Sequence, residues 1–267
     1  MREKYRQSYP GLYLSYIRIL ALSQLQYRGW MLGLLPNLIY VLTDPVDALL
    51  LLDRFGAVGG FTPSAVMLLY GMAILSFGLA ELTLRGVDYF PMLVRSGEFD
   101  RVLLRPRAAL FQVCVLRFHL NRLNRVVCGA LLMVFCLAAQ GARPTAGNIL
   151  MLVLAILGGM LCYDALLLIQ AALAFFTVRE MNVFNVFTHG SFQVVKLPPD
   201  QMPRWMRGAF TFLMPLLLFT YYPAGAVCGW GTPQPFGWLA LPAGAVFFAL
   251  ACILWRTGMR HYQSTGS

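Results

Sequence analysis

Residue types that could do chemistry are few in this chain, and they fall into two groups. The first is the charged stretch Arg95-Ser96-Gly97-Glu98-Phe99-Asp100-Arg101-Val102-Leu103-Leu104-Arg105-Pro106, set in the longest polar interval of an otherwise apolar sequence. Pro91 can open a helical turn there, and Gly97 can close it or reverse the chain. Glu98 to Leu104 then reads as a second short helix, with Pro106 beyond its end. Acids at its start (Glu98, Asp100) and Arg105 at its finish follow the helix dipole. Phe99, Val102 and Leu103 add an apolar stripe. Such a unit suits charge-paired docking of a soluble partner. The eight arginines of residues 85–125 would equally hold a basic loop on anionic lipid, and the residues alone leave both readings open.

The second group is ionisable residues inside apolar runs, where charge is costly and faces a bundle interior or water. Glu81 stands four residues before Arg85, an ion pair in the favourable helical order. Asp164, with Gln170 less than two turns on, could form a polar patch on a bundle or pathway face. Asp44 and Asp47 flank Pro45 and mark a kink or turn at the outer interface.

Catalytic constellations are not legible. G-x-x-x-x-G-K-[ST] is absent, the only lysines are Lys4 and Lys196, and the chain is not expected to bind ATP in the P-loop manner. His119, His189 and His261 share no metal-ligand spacing. The six cysteines are scattered without a C-x-x-C pair and read as small buried hydrophobes. The expectation is a chain that is not an enzyme, with no metal site and no cofactor of its own.

The elements that must position these residues are membrane helices. Of 267 residues, 59% are hydrophobic and 12% charged, about half the charge of a soluble domain. Apolar runs without strict alternation indicate an all-α integral membrane fold rather than a barrel. Residues 9–28 read as an interfacial helix, with Tyr13, Leu14, Tyr16, Ile17, Leu20 and Ala21 on one side. No cleavable leader is expected before it. Spans are expected near Trp30–Leu52, Ser64–Leu84, Val126–Ala139 with its flanks, Ile149–Val178 and Phe236–Trp255. The fifth of six is either Ala209–Val227, the choice of hydropathy, or Met181–Leu197. The second choice turns residues 203–227, with Pro215 and Pro223, into a re-entrant hairpin. Gly29-x-x-x-Gly33 and Gly225-x-x-x-Gly229 would allow close helix approach. Lys and Arg divide 19 against 2 between the two sides, or 16 against 5 with the hairpin. Both divisions put the termini in the cytoplasm.

The run from Gly97 to Pro106, followed by Leu110-Phe111-Gln112, resembles the cytoplasmic signature of ATP-binding-cassette (ABC) type-2 export permeases, and more narrowly a bacterial subfamily of small six-span permeases. Ser23 to Arg28, Leu69-Tyr70-Gly71, Ala80-Glu81-Leu82, and Phe212-Leu213-Met214-Pro215 through Tyr221-Tyr222-Pro223-Ala224 agree with it in order. The resemblance implies one transmembrane domain over residues 1–267, with the interfacial helix at 9–28, a coupling region at 85–125 and an outer re-entrant segment at 198–235. It favours Met181–Leu197 as the fifth span. It implies an export permease in the inner (plasma) membrane, moving an amphipathic or lipophilic substrate. The implied partners are a separate ATPase that holds ATP and Mg, a second permease copy or sister permease, and membrane lipid; nucleic acid is not among them. Coupling would fall on Arg95, Gly97, Glu98, Phe99, Asp100, Arg101, Arg105 and Pro106, with Phe99 as a hydrophobic anchor. Glu81, Asp164, Gln170, Pro215, Tyr221, Tyr222 and Pro223 are the pathway or gate candidates. The contrary expectation is a membrane scaffold, lipid-binding protein or passive channel without an ATPase.

Overall fold

The computed structural model describes residues 9–26, 62–142, 145–177, 190–197 and 199–262, with Leu35, Pro36, Leu38, Ile39, Thr43 and Val46 as isolated positions. Among the described residues the regular structure is helical, without strands. The expected first span at 30–52, with Asp44 and Asp47, lies almost wholly outside them, as do Gly29 and Gly33.

Helix α1 (Tyr9–Gln26) is followed by α2 (Pro63–Leu84), a 3-10 turn at Arg85–Tyr89, α3 (Phe90–Arg95) and α4 (Glu98–Leu103). Then come α5 (Ala109–Cys114), α6 (Leu123–Ala139) and α7 (Ala146–Leu173). After a helical turn at 190–195, the chain forms α8 (Arg204–Gly208) running into a π-helical turn at Ala209–Leu213. It ends in α9 (Leu216–Phe219), α10 (Tyr221–Cys228), α11 (Gln234–Trp238) and α12 (Ala240–His261).

Four helical runs are long and apolar enough to cross a membrane: Pro63–Arg95, Leu120–Ala139, Ala146–Leu173 and Ala240–His261. A fifth is added if Arg204–Leu213 and Leu216–Cys228, bent by 71° to each other, count as one span. Neither arm alone reaches the ~20 residues a bilayer core needs. Ala209–Val227, the choice of hydropathy, falls within this bent pair, and Pro215 interrupts its helical ladder. Most of Met181–Leu197 lies outside the described residues.

Helix α2 is the centre of the bundle. Thr62 caps it, its Oγ1 accepting from Ala65 N at 3.3 Å with Pro63 in the first turn. Its residues 65–78 are buried on every side, as expected of a helix apolar all round. It packs between α6 and α7, and α7 in turn packs on α12. A Cβ on Gly129 of α6 would lie 2.7 Å from Leu75 N, so glycine there lets the backbones of α2 and α6 touch. The 3-10 turn is seated just as closely, since a Cβ on Gly86 would meet Val113 O and lie 2.6 Å from Cys114 O. Gly225 and Gly229 serve differently from a helix-packing pair. Gly229 takes φ +74° to end α10, while Gly225 makes room for Thr232.

One helix and one helix face differ from their expectations. The last long helix begins at Ala240 and continues past Trp255 through the polar residues to His261, and Pro242 is tolerated because it falls in the first turn. On α1, Leu14, Ile19, Leu22 and Leu25 are the exposed apolar residues. Tyr13, Ile17, Leu20 and Ala21 are part-buried, while Leu14 and Tyr16 of the same expected face are exposed. Tertiary contacts divide that stripe. Tyr13 donates to Thr83 O at 2.9 Å and Leu82 O at 3.3 Å, and Gln24 binds Phe118 O and accepts from Leu120 N.

Candidate functional site

The turn between α3 and α4 projects from the end of α2. Ser96 N returns to Met92 O at 2.9 Å and Gly97 N to Val94 O at 3.3 Å, ending α3. Gly97 takes φ +69°, a left-handed conformation that glycine adopts without a Cβ penalty. Arg95, Glu98, Arg101, Arg105 and Pro106 are exposed, and Asp100 is half-buried. Met92, Leu103 and Leu104 add exposed apolar surface, Leu104 at 85%. Sequence reading missed Met92 and Leu104, whose only signal was an apolar residue beside a charged turn.

Phe99 is the correction in this region. Expected as an anchor on a partner, it is wholly buried, and it anchors α4 to the chain's own body instead. Its ring lies edge-on to Phe90 at 4.9 Å, Tyr262 at 5.1 Å and Phe175 at 5.8 Å. Trp255 completes the cluster 4.6 Å from Phe90. The Tyr262 hydroxyl donates to Asp100 Oδ1 at 3.0 Å, and burial with that contact pushes the phenol up from its ordinary pKa. The turn is thus fastened to the residues after α7 and to α12, as well as to α2.

Deeper, Glu81 does pair with Arg85, at 2.9 Å, but two further arginines converge on it from the start of α6. Arg122 reaches Oε1 at 3.2 Å and Arg125 reaches Oε2 at 2.6 Å. Arg85 also pairs with Asp88 at 2.6 Å. The Glu81 and Arg125 side chains are 1% and 5% exposed and form a buried ion pair, while Arg85 and Arg122, at 22% and 23%, reach Glu81 from the wetter side. Beside them, Arg117 lies over the Tyr89 ring at 4.0 Å, and His119 stacks on the same ring. Burial first, then Arg122, Arg85 and Arg117, lowers the His119 pKa against a smaller opposing pull from Glu81.

Asp164 is also buried, but its described hydrogen-bond partner is Thr83 of α2, at 3.2 and 3.3 Å, rather than Gln170. The same hydroxyl lies 3.0 Å from Ala80 O. Gln170 is part-buried nearer the end of α7. Tyr13 lies close by, and burial, with Cys114 and Asp164 near, pushes its phenol up to about 12. Burial likewise pushes the Cys114 thiol up to about 12. The late segment forms a separate cluster. Pro215 makes the bend, Pro223 is buried in α10, and Tyr221 is 7% exposed. Tyr221 meets Tyr222 at 5.4 Å, and Tyr222 stacks on Phe236 at 5.0 Å.

The candidate residues therefore form four clusters at different places along the bundle, and no catalytic arrangement joins them among the described residues. Among the described residues, no group of His, Cys, Asp and Glu could hold a metal ion. The geometry suits transmission of movement: a surface turn, an aromatic joint, and an ionic joint between α2 and α6. A family model described as ABC-2 family transporter protein matches residues 38–266. No curated protein and no solved structure matches the chain.

Proposed function

The chain belongs to the ABC-2 transporter family, and from that premise we propose that it is the permease of an ATP-driven exporter, worked by a separate ATPase at the α3–α4 turn. As a member of that family it is an integral membrane protein and the permease subunit of an ABC transporter. The reading of the turn is carried by one observation. Exposed charges of both signs surround the short helix α4, with Arg95 before it, Glu98 and Arg101 on it and Arg105 after it, and Phe99 binds that helix firmly to the bundle. A partner's push there would not be absorbed locally, because close-packed aromatic rings transmit displacement.

ATP and Mg would belong to the ATPase. Its closure would shift the turn only through contacts that differ between nucleotide states. The push would pass through Phe99 to Phe175, Trp255 and Tyr262, and through α3 to α2. Glu81, Asp164 and Gln170 would lie along the moving interior. The pathway would open past Pro215, Tyr221, Tyr222 and Pro223 to an amphipathic or lipophilic substrate. Six spans, with the four long helices joined by 30–52 and either the bent pair or 181–197, would place both termini in the cytoplasm of an inner (plasma) membrane protein. Two permeases, identical or sister chains, would form the pathway between them.

The test is co-purification of the tagged chain from its native membrane in mild detergent, with wild type and Arg101→Glu compared. Wild type should bring down an ABC ATPase. Arg101→Glu, at an exposed position, should lose at least about tenfold of it while melting like wild type. Phe99→Ala should behave oppositely in one respect, lowering stability by about 3–5 kcal/mol because it empties a packed site. Recovery of no ATPase with wild type, with nucleotide present, would leave a scaffold or passive channel as the reading.

A further inference from the structure

Helix α1 is fastened to the segment after the turn at both ends and stands away from it between. At one end the Tyr9 ring meets Phe111 edge-on at 5.2 Å and lies under Arg107 at 5.4 Å. At the other, Gln24 holds Phe118 O and Leu120 N. Between these clamps is a cavity of about 360 Å³, within the range that encloses a ligand-sized group.

Its walls differ in chemistry. Leu12, Leu20, Phe111, Val115 and Leu116 make it apolar, while Arg105 and Arg107 line one part of it. Among the described residues neither guanidinium meets a carboxylate. Gln112 also lines the cavity and is 6% exposed. Its Nε2 donates to Arg107 O at 2.8 Å, which fixes the amide, but its buried Oε1 has no donor. A buried acceptor without a donor is costly and calls for one. On its outer side α1 shows Leu14 and Ile19, 66% and 64% exposed, as a helix set among acyl chains does.

We propose that this cavity binds one anionic phospholipid of phosphatidylglycerol chemistry. An acyl chain lies along Leu12, Leu20, Phe111 and Leu116, the phosphate sits between Arg105 and Arg107, and a glycerol hydroxyl donates to Gln112 Oε1. A soluble phosphate would use the cations and leave the apolar wall bare. A choline lipid would bring no hydroxyl and no net negative charge. Because the floor runs from Arg105 to Leu116, directly after α4, occupancy by this lipid sets the position of the turn. The proposal needs α1 at the membrane surface but not the ATPase, so the two stand or fall separately.

The experiment is native mass spectrometry of the full chain in detergent, titrated with phosphatidylglycerol, phosphatidylcholine, phosphatidic acid or glycerol phosphate. The expected result is one saturable phosphatidylglycerol per chain, bound at least about tenfold more tightly than phosphatidylcholine or phosphatidic acid. The double variant Arg105→Gln/Arg107→Gln should lose about thirtyfold in that affinity, at roughly one surface-charge contribution per arginine. Leu20→Trp, which fills the cavity and keeps both arginines, should lose it too, with melting checked for each variant. Equal binding of phosphatidylcholine, competition by glycerol phosphate, or unchanged phosphatidylglycerol binding in both variants overturns the site. Equal binding of phosphatidic acid overturns the hydroxyl contact to Gln112.

Discussion

Single residues carry more consequence here than their number suggests, because a few charged ones, Glu81 and Arg125 first, are held in water-poor surroundings. Glu81→Gln removes the one carboxylate on which Arg85, Arg122 and Arg125 converge. Removing one partner of a buried ion pair such as Glu81–Arg125 costs about 3–5 kcal/mol, so the variant should melt well below wild type in detergent. His119 gives a pH dependence whose sign follows from its lowered pKa. A neutral ring is favoured in the fold, so its contribution is whole above the unfolded value of about 6.5 and is lost as pH falls through the lower folded value. Melting temperature should therefore drop as pH falls below the unfolded imidazole value of about 6.5, and His119→Gln should shrink that drop. The Glu81–Arg85 pair was readable from spacing alone. Arg122 and Arg125 were not, because an interaction across some forty residues leaves no periodicity behind. The buried place of Phe99 was half readable: the apolar stripe was evident, but the stripe does not say whether it meets a partner or the chain's own Phe90 and Tyr262.

Among the elements, those set by hydropathy were the most legible. The expected Ser64–Leu84 is α2 within one residue, because a long apolar run with a Thr-Pro start has few alternatives. The α3–α4 turn was marked by Pro91, Gly97 and Pro106, each with a local backbone reason. Where tertiary contact competed with pattern, the pattern was insufficient. Helix α1 gave its Tyr13 side to α2, and the last span ran past Trp255 because Tyr262 and Trp255 have aromatic partners to reach. Gly97 allows a direct check on the turn. Gly97→Val forces a β-branched residue to φ +69°, costing about 1–3 kcal/mol, and should lower the melting temperature while Gly97→Asn lowers it less.

At the scale of the molecule, orientation is the property that charge counting predicts and labelling can decide. Cysteines introduced at Ser96 and Gly141 should react with a membrane-impermeant maleimide from opposite sides. Ser96→Cys should react in inside-out vesicles and Gly141→Cys in right-side-out ones; the reverse pattern would invert every functional assignment made above. One packing feature then acquires a mechanical meaning. The helical run from Pro63 to Arg95 is seated at Gly86 against the backbone of Val113 and Cys114. A second backbone-on-backbone footing lies about 17 Å along the same run, where Gly129 of α6 meets Leu75. A rod gripped at two points so spaced does not pivot about either, so a thrust at the α3–α4 turn is passed along its length to both footings together.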